Sequence, residues 1–137
     1  MNSIEFINPD SLRVPTKAYS NGLLVPLGTA DLMFVTGQLS QDIDGNVLCL
    51  GDAEGQARHI FDRISTILGG AGMSLDNVVK AQIFVTNIAD APAVSKVRNE
   101  VFKVSRPVST LVEVSALVKE GCCVEIEVIA ARLGART

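Results

Sequence analysis

Apolar residues recur along this chain with two different periods, and the switches between them mark out its elements. The runs from Tyr19 to Pro26 and from Leu32 to Leu39 are short, apolar and rich in β-formers, and Gly28-Thr29-Ala30-Asp31 between them has the composition of a turn. They predict two adjacent antiparallel strands. Asp42-Ile43-Asp44-Gly45-Asn46 then gathers turn formers, with Asp44-Gly45 able to supply a positive φ at low cost. From Ala53 to about Leu68 the period changes. Ala57, Ile60, Phe61, Ile64 and Leu68 recur every three or four residues, with Arg58, Asp62, Arg63 and Ser65 between them. That spacing predicts an amphipathic helix with Asp52 as its N-cap and Gly69, Gly70 and Gly72 around its end.

Val78 to Thr86 returns to alternation, with Val79, Ala81, Ile83 and Val85 on one side, and predicts a central strand. Asp90 is the expected cap of a second helix. Pro92 fits its first turn, where the missing N–H has no partner in any case. Val94, Val97, Val101 and Phe102 form the buried stripe of this helix, and Arg106-Pro107 stops it. Two final strands follow, joined by Leu117 to Gly121. The predicted order is ββαβαββ, an α+β sandwich in which a mixed sheet carries two helices on one face. Val108, Thr110, Val112, Val114, Val124, Ile126 and Val128 are assigned to the helix side. Ser109, Leu111, Glu113, Glu125, Glu127, Ile129 and Ala131 are thereby left on the other face. Such a surface is too apolar to be simply solvated and too charged for an ordinary core, and self-association resolves the conflict.

The chain has 137 residues, of which 47% are hydrophobic, enough for one domain over residues 1–137 with a real core. Its formal charge of −3 gives no attractive field for a phosphate backbone, so nucleic acid is not an expected partner. The first residues lack a basic stretch followed by an apolar run, and no segment approaches the roughly 20 apolar residues of a membrane helix. The expectation is a cytoplasmic protein with no membrane partner. Cys49 and the adjacent Cys122-Cys123 are a poor disulfide framework and lack Cys-x-x-Cys spacing, so reduced, structural cysteines are expected. His59 is the only histidine and reads as a surface residue; no metal and no cofactor are expected. Gly69-Gly70-Ala71-Gly72 follows a helix instead of preceding one and is no phosphate loop. A serine-nucleophile elbow is also missing.

Four segments carry a resemblance to a known family. Phe34-Val35-Thr36-Gly37-Gln38-Leu39, Lys80-Ala81-Gln82-Ile83-Phe84-Val85-Thr86-Asn87, Arg106-Pro107-Val108-Ser109-Thr110-Leu111-Val112-Glu113-Val114 and Val124-Glu125-Ile126-Glu127-Val128-Ile129-Ala130-Ala131-Arg132 together resemble the RidA/YjgF/UK114 proteins. The resemblance spans nearly the whole chain. It implies a homotrimer with inward-facing sheets, a ligand cleft at each subunit boundary, and hydrolysis of reactive enamines and imines. In that chemistry a glutamate orients the attacking water beside a polarised C=N carbon, and an arginine fork holds the substrate carboxylate. The motif match places the glutamate at Glu125. Tyr19, Thr36, Gly37 and Phe84 fall among the ligand-binding positions. Ser109 occupies the arginine place and Leu111 a position that is often cysteine, which implies an atypical, less anionic substrate. Arg106 is a candidate replacement cation.

Two functional classes stay open at this point. One is a deaminase of enamines, imines or related small metabolites; the other is a noncatalytic trimer that binds a small metabolite in the same clefts. An endoribonuclease reading goes with some relatives of this type, but the acidic charge and 4% aromatic content give RNA little to hold.

Overall fold

The computed structural model describes residues 3–134. Six strands, β1 (Glu5–Ile7), β2 (Gly22–Pro26), β3 (Ala30–Gln38), β4 (Val78–Val85), β5 (Val108–Glu113) and β6 (Val124–Leu133), form one sheet in the order β1-β2-β3-β6-β4-β5. Only the β4–β5 pair is parallel, and α2 (Ala91–Val101) makes the crossover between those strands. The longer helix, α1 (Ala53–Gly69), connects β3 to β4. Ile60, Phe61, Ile64 and Ile67 of α1 and Val94 and Val97 of α2 close over one face of the sheet, against Met33, Val35, Ile83, Val124, Ile126 and Val128. Phe61 meets Phe102 edge to face at 5.2 Å between ring centroids, a geometry favoured by the ring quadrupoles. The fold class is thus the expected α+β sheet with two helices.

The cap of α1 follows the sequence: Asp52 accepts from the Gly55 amide at 2.9 Å. Gly70 closes the helix with right-handed backbone, and the left-handed residue comes two positions later at Gly72, φ +72°. Asp90 does not cap α2. Its backbone is already helical and its side chain makes no cap bond, because a short 3₁₀ turn, Ile88–Asp90, precedes the helix. Asn87 caps that turn by accepting from the Ala89 amide. β1 has three residues, too few for alternation to reveal, and pairs at the sheet edge with β2.

The face assignment of β5 is corrected. Ser109 and Leu111 stand beside Ala81 and Ile83 in register, and those β4 residues are fully buried under the helices. Leu111 packs on the core, whereas Val108 is 70% exposed. β5 is an edge strand with apolar residues in both phases, so its hydrophobicity cannot set its register; the parallel pairing to β4 does. On β6 the expected alternation holds: Val124, Ile126 and Val128 are buried and Glu125 and Glu127 turn to the other face.

A polar side chain ties the helix layer to the sheet. Gln56 on α1 is fully buried. Its amide nitrogen donates to the Cys49 and Gly121 carbonyls at 3.2 and 3.0 Å, and its oxygen accepts from the Cys123 amide at 2.9 Å. Replacing it with leucine strands three backbone groups, each costing on the order of 1–3 kcal/mol when buried and unpaired. Gln56→Leu is expected to lower unfolding stability by about 3 kcal/mol in urea titrations; an unchanged midpoint would show that these groups find other partners.

Candidate functional site

The site grows from an irregularity in the pairing of β3 with β6. Val35 faces Val128 and Gln38 faces Ile126, so Thr36 and Gly37 together oppose the single residue Glu127. This is a β-bulge, which shifts the alternation of its strand by one. Val35 and Gln38, three positions apart, are both buried as a result. Thr36 and Gly37 lie at the wall of a cavity of about 500 Å³. Glu125 reaches the same cavity from β6, its backbone fixed between the fully buried Val124 and Ile126. The Glu125 carboxylate lies directly over Gly37, where any Cβ would collide with its Oε2 atom. A side chain at position 37 would therefore displace the Glu125 carboxylate from this place, and glycine leaves it room.

Tyr19 stands at the mouth of this cavity, 57% exposed, and also borders a second, more open one of about 750 Å³ formed with Phe6, Leu23, Phe34 and Ile129. One chain thus brings together Tyr19, Thr36, Gly37 and Glu125. Phe84 is the cross-strand neighbour of Glu125 on the open face of the sheet but does not line the cavity. Ser109 and Leu111 lie elsewhere in the same chain. Ser109 borders a separate cavity of about 470 Å³ with Arg98, Phe102, Lys103, Arg106 and Pro107, and its hydroxyl is buried without a partner. Arg106, with φ +49°, belongs to that second region as well.

No donor among the described residues hydrogen-bonds the Glu125 carboxylate. Burial, and then the like charge of Glu127, push its carboxyl above the usual carboxylate range. A carboxyl so placed can hold a water molecule and exchange a proton with it. The cavity also contains residues that sequence patterning did not single out. Arg63 of α1 is 9% exposed, although its neighbours in the apolar pattern assigned it to the polar face. Its Nε donates to Gln38 Oε1 at 3.1 Å and its Nη1 to the Gln41 carbonyl at 2.9 Å. The signal was present: Gln56, Ile60, Arg63 and Ile67 recur at spacings of four, three and four, and all four are buried. Arg13 and Asp42 complete the rim.

Other reactive groups have structural surroundings. His59 is half-buried instead of superficial, its Nδ1 3.1 Å from the Ser40 hydroxyl, and burial followed by the Arg63 charge lowers its proton affinity. Burial raises the thiols of Cys122 and Cys123, which favours the unreactive protonated form. Among the described residues no three His, Cys, Asp or Glu side chains group as a metal site would, and no helix is long and apolar enough to cross a membrane.

With this geometry in place, the comparisons with known proteins give the class. The family described as Endoribonuclease L-PSP matches residues 11–132, and the chain belongs to that family, the YjgF/RidA proteins. A 3-aminoacrylate deaminase, RutC, from Acinetobacter baylyi is 37% identical over 127 residues, covering 92% of this chain and 96% of the relative. A RutC family protein from Pyrococcus abyssi is 32% identical over 126 residues, covering 92% and 95%. Among solved structures, YyfA from Yersinia pestis, described as a Rid-family protein of unknown function, superposes with a TM-score of 0.82 at 32% identity, covering 93% of this chain and 98% of that one. Yeast YEO7 superposes with a TM-score of 0.83 at 26% identity, covering 98% and 100%.

The raised Glu125 carboxyl has a consequence for stability. An acid whose folded-state pKa is raised contributes fully below its unfolded value, about 4.3, and loses that contribution as pH rises through the raised value. Glu125→Gln cannot ionise. It is expected to melt higher than the wild type at about pH 7, with the difference vanishing below about pH 4; a constant difference across that range would show that Glu125 titrates normally.

Proposed function

We propose that this protein hydrolyses small enamine or imine metabolites, releasing ammonia, with Glu125 as the group that handles the water. The observation that carries this reading is the Glu125 carboxyl itself. It is half-buried, pushed up in pKa, unbonded by protein donors, and held over the bare backbone of Gly37 in a cavity of small-molecule size. The 37% identity to a protein named 3-aminoacrylate deaminase supports the same chemistry.

In this reading an enamine first tautomerises to its imine, moving one proton from nitrogen to carbon. Water held by ionised Glu125 attacks the C=N carbon. The carboxylate takes the water proton, the new C–O bond forms, and the π-electron pair of the C=N bond moves to nitrogen. Glu125 returns that proton to nitrogen, giving the neutral carbinolamine, and then relays the hydroxyl proton to nitrogen as the C=O bond forms and the C–N bond breaks, so that ammonia leaves with a carbonyl product. A carboxyl raised above its ordinary range suits both halves, since it takes a proton in one and gives it back in the other. Thr36 and the Gly37 backbone offer hydrogen bonds to the bound molecule, and the Tyr19 phenol stands at the entrance.

The proposed assembly is a homotrimer that encloses three such clefts and covers the open sheet face bearing Phe84, Val112 and Ile129. Within one chain neither Ser109 nor Leu111 lines the Glu125 cavity, and because Leu111 packs on the core, only Ser109, at the wall of its own cavity, is left in this reading to meet the cleft of a neighbouring subunit. Ser109 also favours a second reading, binding without turnover, because it stands where the resemblance places a carboxylate-holding arginine.

Release of ammonia from freshly generated 2-imino acids separates the two. Wild-type protein is expected to accelerate it above buffer, and Glu125→Ala to lower kcat/KM by about a hundredfold or more. No acceleration by the wild type over a range of substrate sizes overturns the hydrolase reading in favour of metabolite binding.

A further inference from the structure

We propose that Arg63 of α1 is the cation that holds the carboxylate of the ligand in the Glu125 cavity, and so determines its specificity. The inference rests on that cavity being the ligand site. Arg63 is 9% exposed, and a buried guanidinium is costly unless paired. It cannot escape by losing its proton, because arginine stays charged in proteins. Yet no ion pair among the described residues includes it; those present belong to Arg58, Lys96 and Arg132.

Its two protein partners are neutral. The Gln38 side chain and the Gln41 carbonyl take one N–H each, from Nε and Nη1. Three of the five guanidinium N–H groups remain without a protein acceptor among the described residues, on a side chain that lines the cavity. The two fixed bonds hold the plane of the fork and leave its charge uncompensated. That is a preorganised receptor for an anion entering from the cavity.

The neighbours choose the kind of anion. Glu125 and Asp42 line the same cavity, so a dianion would face two acids around a single buried cation. A planar monoanion matches both the charge and the fork, which makes the ligand a carboxylate. Arg13, the other arginine of the cavity, is exposed and makes only a 3.5 Å contact to the Asp44 carbonyl. It can attract an anion but is too solvated to orient one. The cation that Ser109 cannot provide on β5 is thus supplied from a helix.

Pyruvate, the stable carbonyl analogue of a 2-imino acid, and its uncharged amide pyruvamide test this in the full-length protein. Titration of the wild type with pyruvate is expected to shift the Arg63 Nε–H resonance to saturation, while pyruvamide leaves it in place. Arg63→Gln should weaken pyruvate binding by about tenfold or more and raise KM for an imino acid further than it lowers kcat, with Arg63→Lys recovering part of the loss. Arg13→Gln should change pyruvate affinity by less than about threefold. Pyruvate that fails to bind, or that binds without moving the Nε–H signal, overturns the proposal, and so does unchanged affinity in Arg63→Gln. Inorganic phosphate moving the signal at lower concentration than pyruvate overturns the carboxylate assignment. Should Arg63→Gln fail to fold, the wild-type titration decides alone. Arg63-dependent pyruvate binding without ammonia release would refute the hydrolase reading and leave this one standing; ammonia release indifferent to Arg63 would do the reverse.

Discussion

β6 is hydrogen-bonded on both sides, to β3 and to β4, and the rest of the molecule depends on its register. A strand held along both edges cannot slip without breaking two ladders, and a slip of one residue would exchange its faces. Val124, Ile126 and Val128 are thereby committed to the core under α1 and α2, and Glu125 and Glu127 to the opposite face. Gln56 reinforces this at the start of the strand by binding the Cys123 amide, so the helix layer and the position of Glu125 are mechanically one unit.

Onto this rigid strand the bulge in β3 adds a local departure from sheet geometry. Two residues of β3 stand opposite one of β6, and the extra residue opens space that a regular ladder would close. The same shift turns Gln38 inward, where it receives the Nε–H of Arg63. One insertion in the pairing therefore accounts for both the bare floor beneath Glu125 and the anchoring of the guanidinium. It explains why a buried arginine is tolerated on the inner face of α1.

The cavity holds two groups in environments that oppose their ordinary ionisation. Burial and Glu127 push the Glu125 carboxyl upward, and burial lowers the proton affinity of Arg63 without neutralising it. Neither has the counter-ion that would relieve it among the described residues. Sites that sacrifice local stability in this way hold charge ready for a ligand, whereas the charge of a structural arginine such as Arg132 is neutralised within the chain, by Asp31 at 2.7 Å.

By itself the sequence determined the element types and most of their limits. Hydrophobic period is a local property, and Ala53–Gly69 or residues 81–85 carry it strongly enough to be read without tertiary information, whereas at the start of β4 the irregular pairing between Val78 and Lys80 buries Val78 and leaves Val79, expected on the apolar face, 46% exposed. It also determined the motif around Thr36-Gly37 and Val124-Glu125, and hence the family. The tertiary structure alone decided the phase of β5, because an edge strand with apolar residues in both registers takes its face from its neighbour and not from its own pattern. Tertiary structure alone also decided the place of Arg63. Its charge argued for solvent, and only the joint geometry of the β3 bulge, Gln38 and Gln41 gives a buried guanidinium the partners it needs to remain inside.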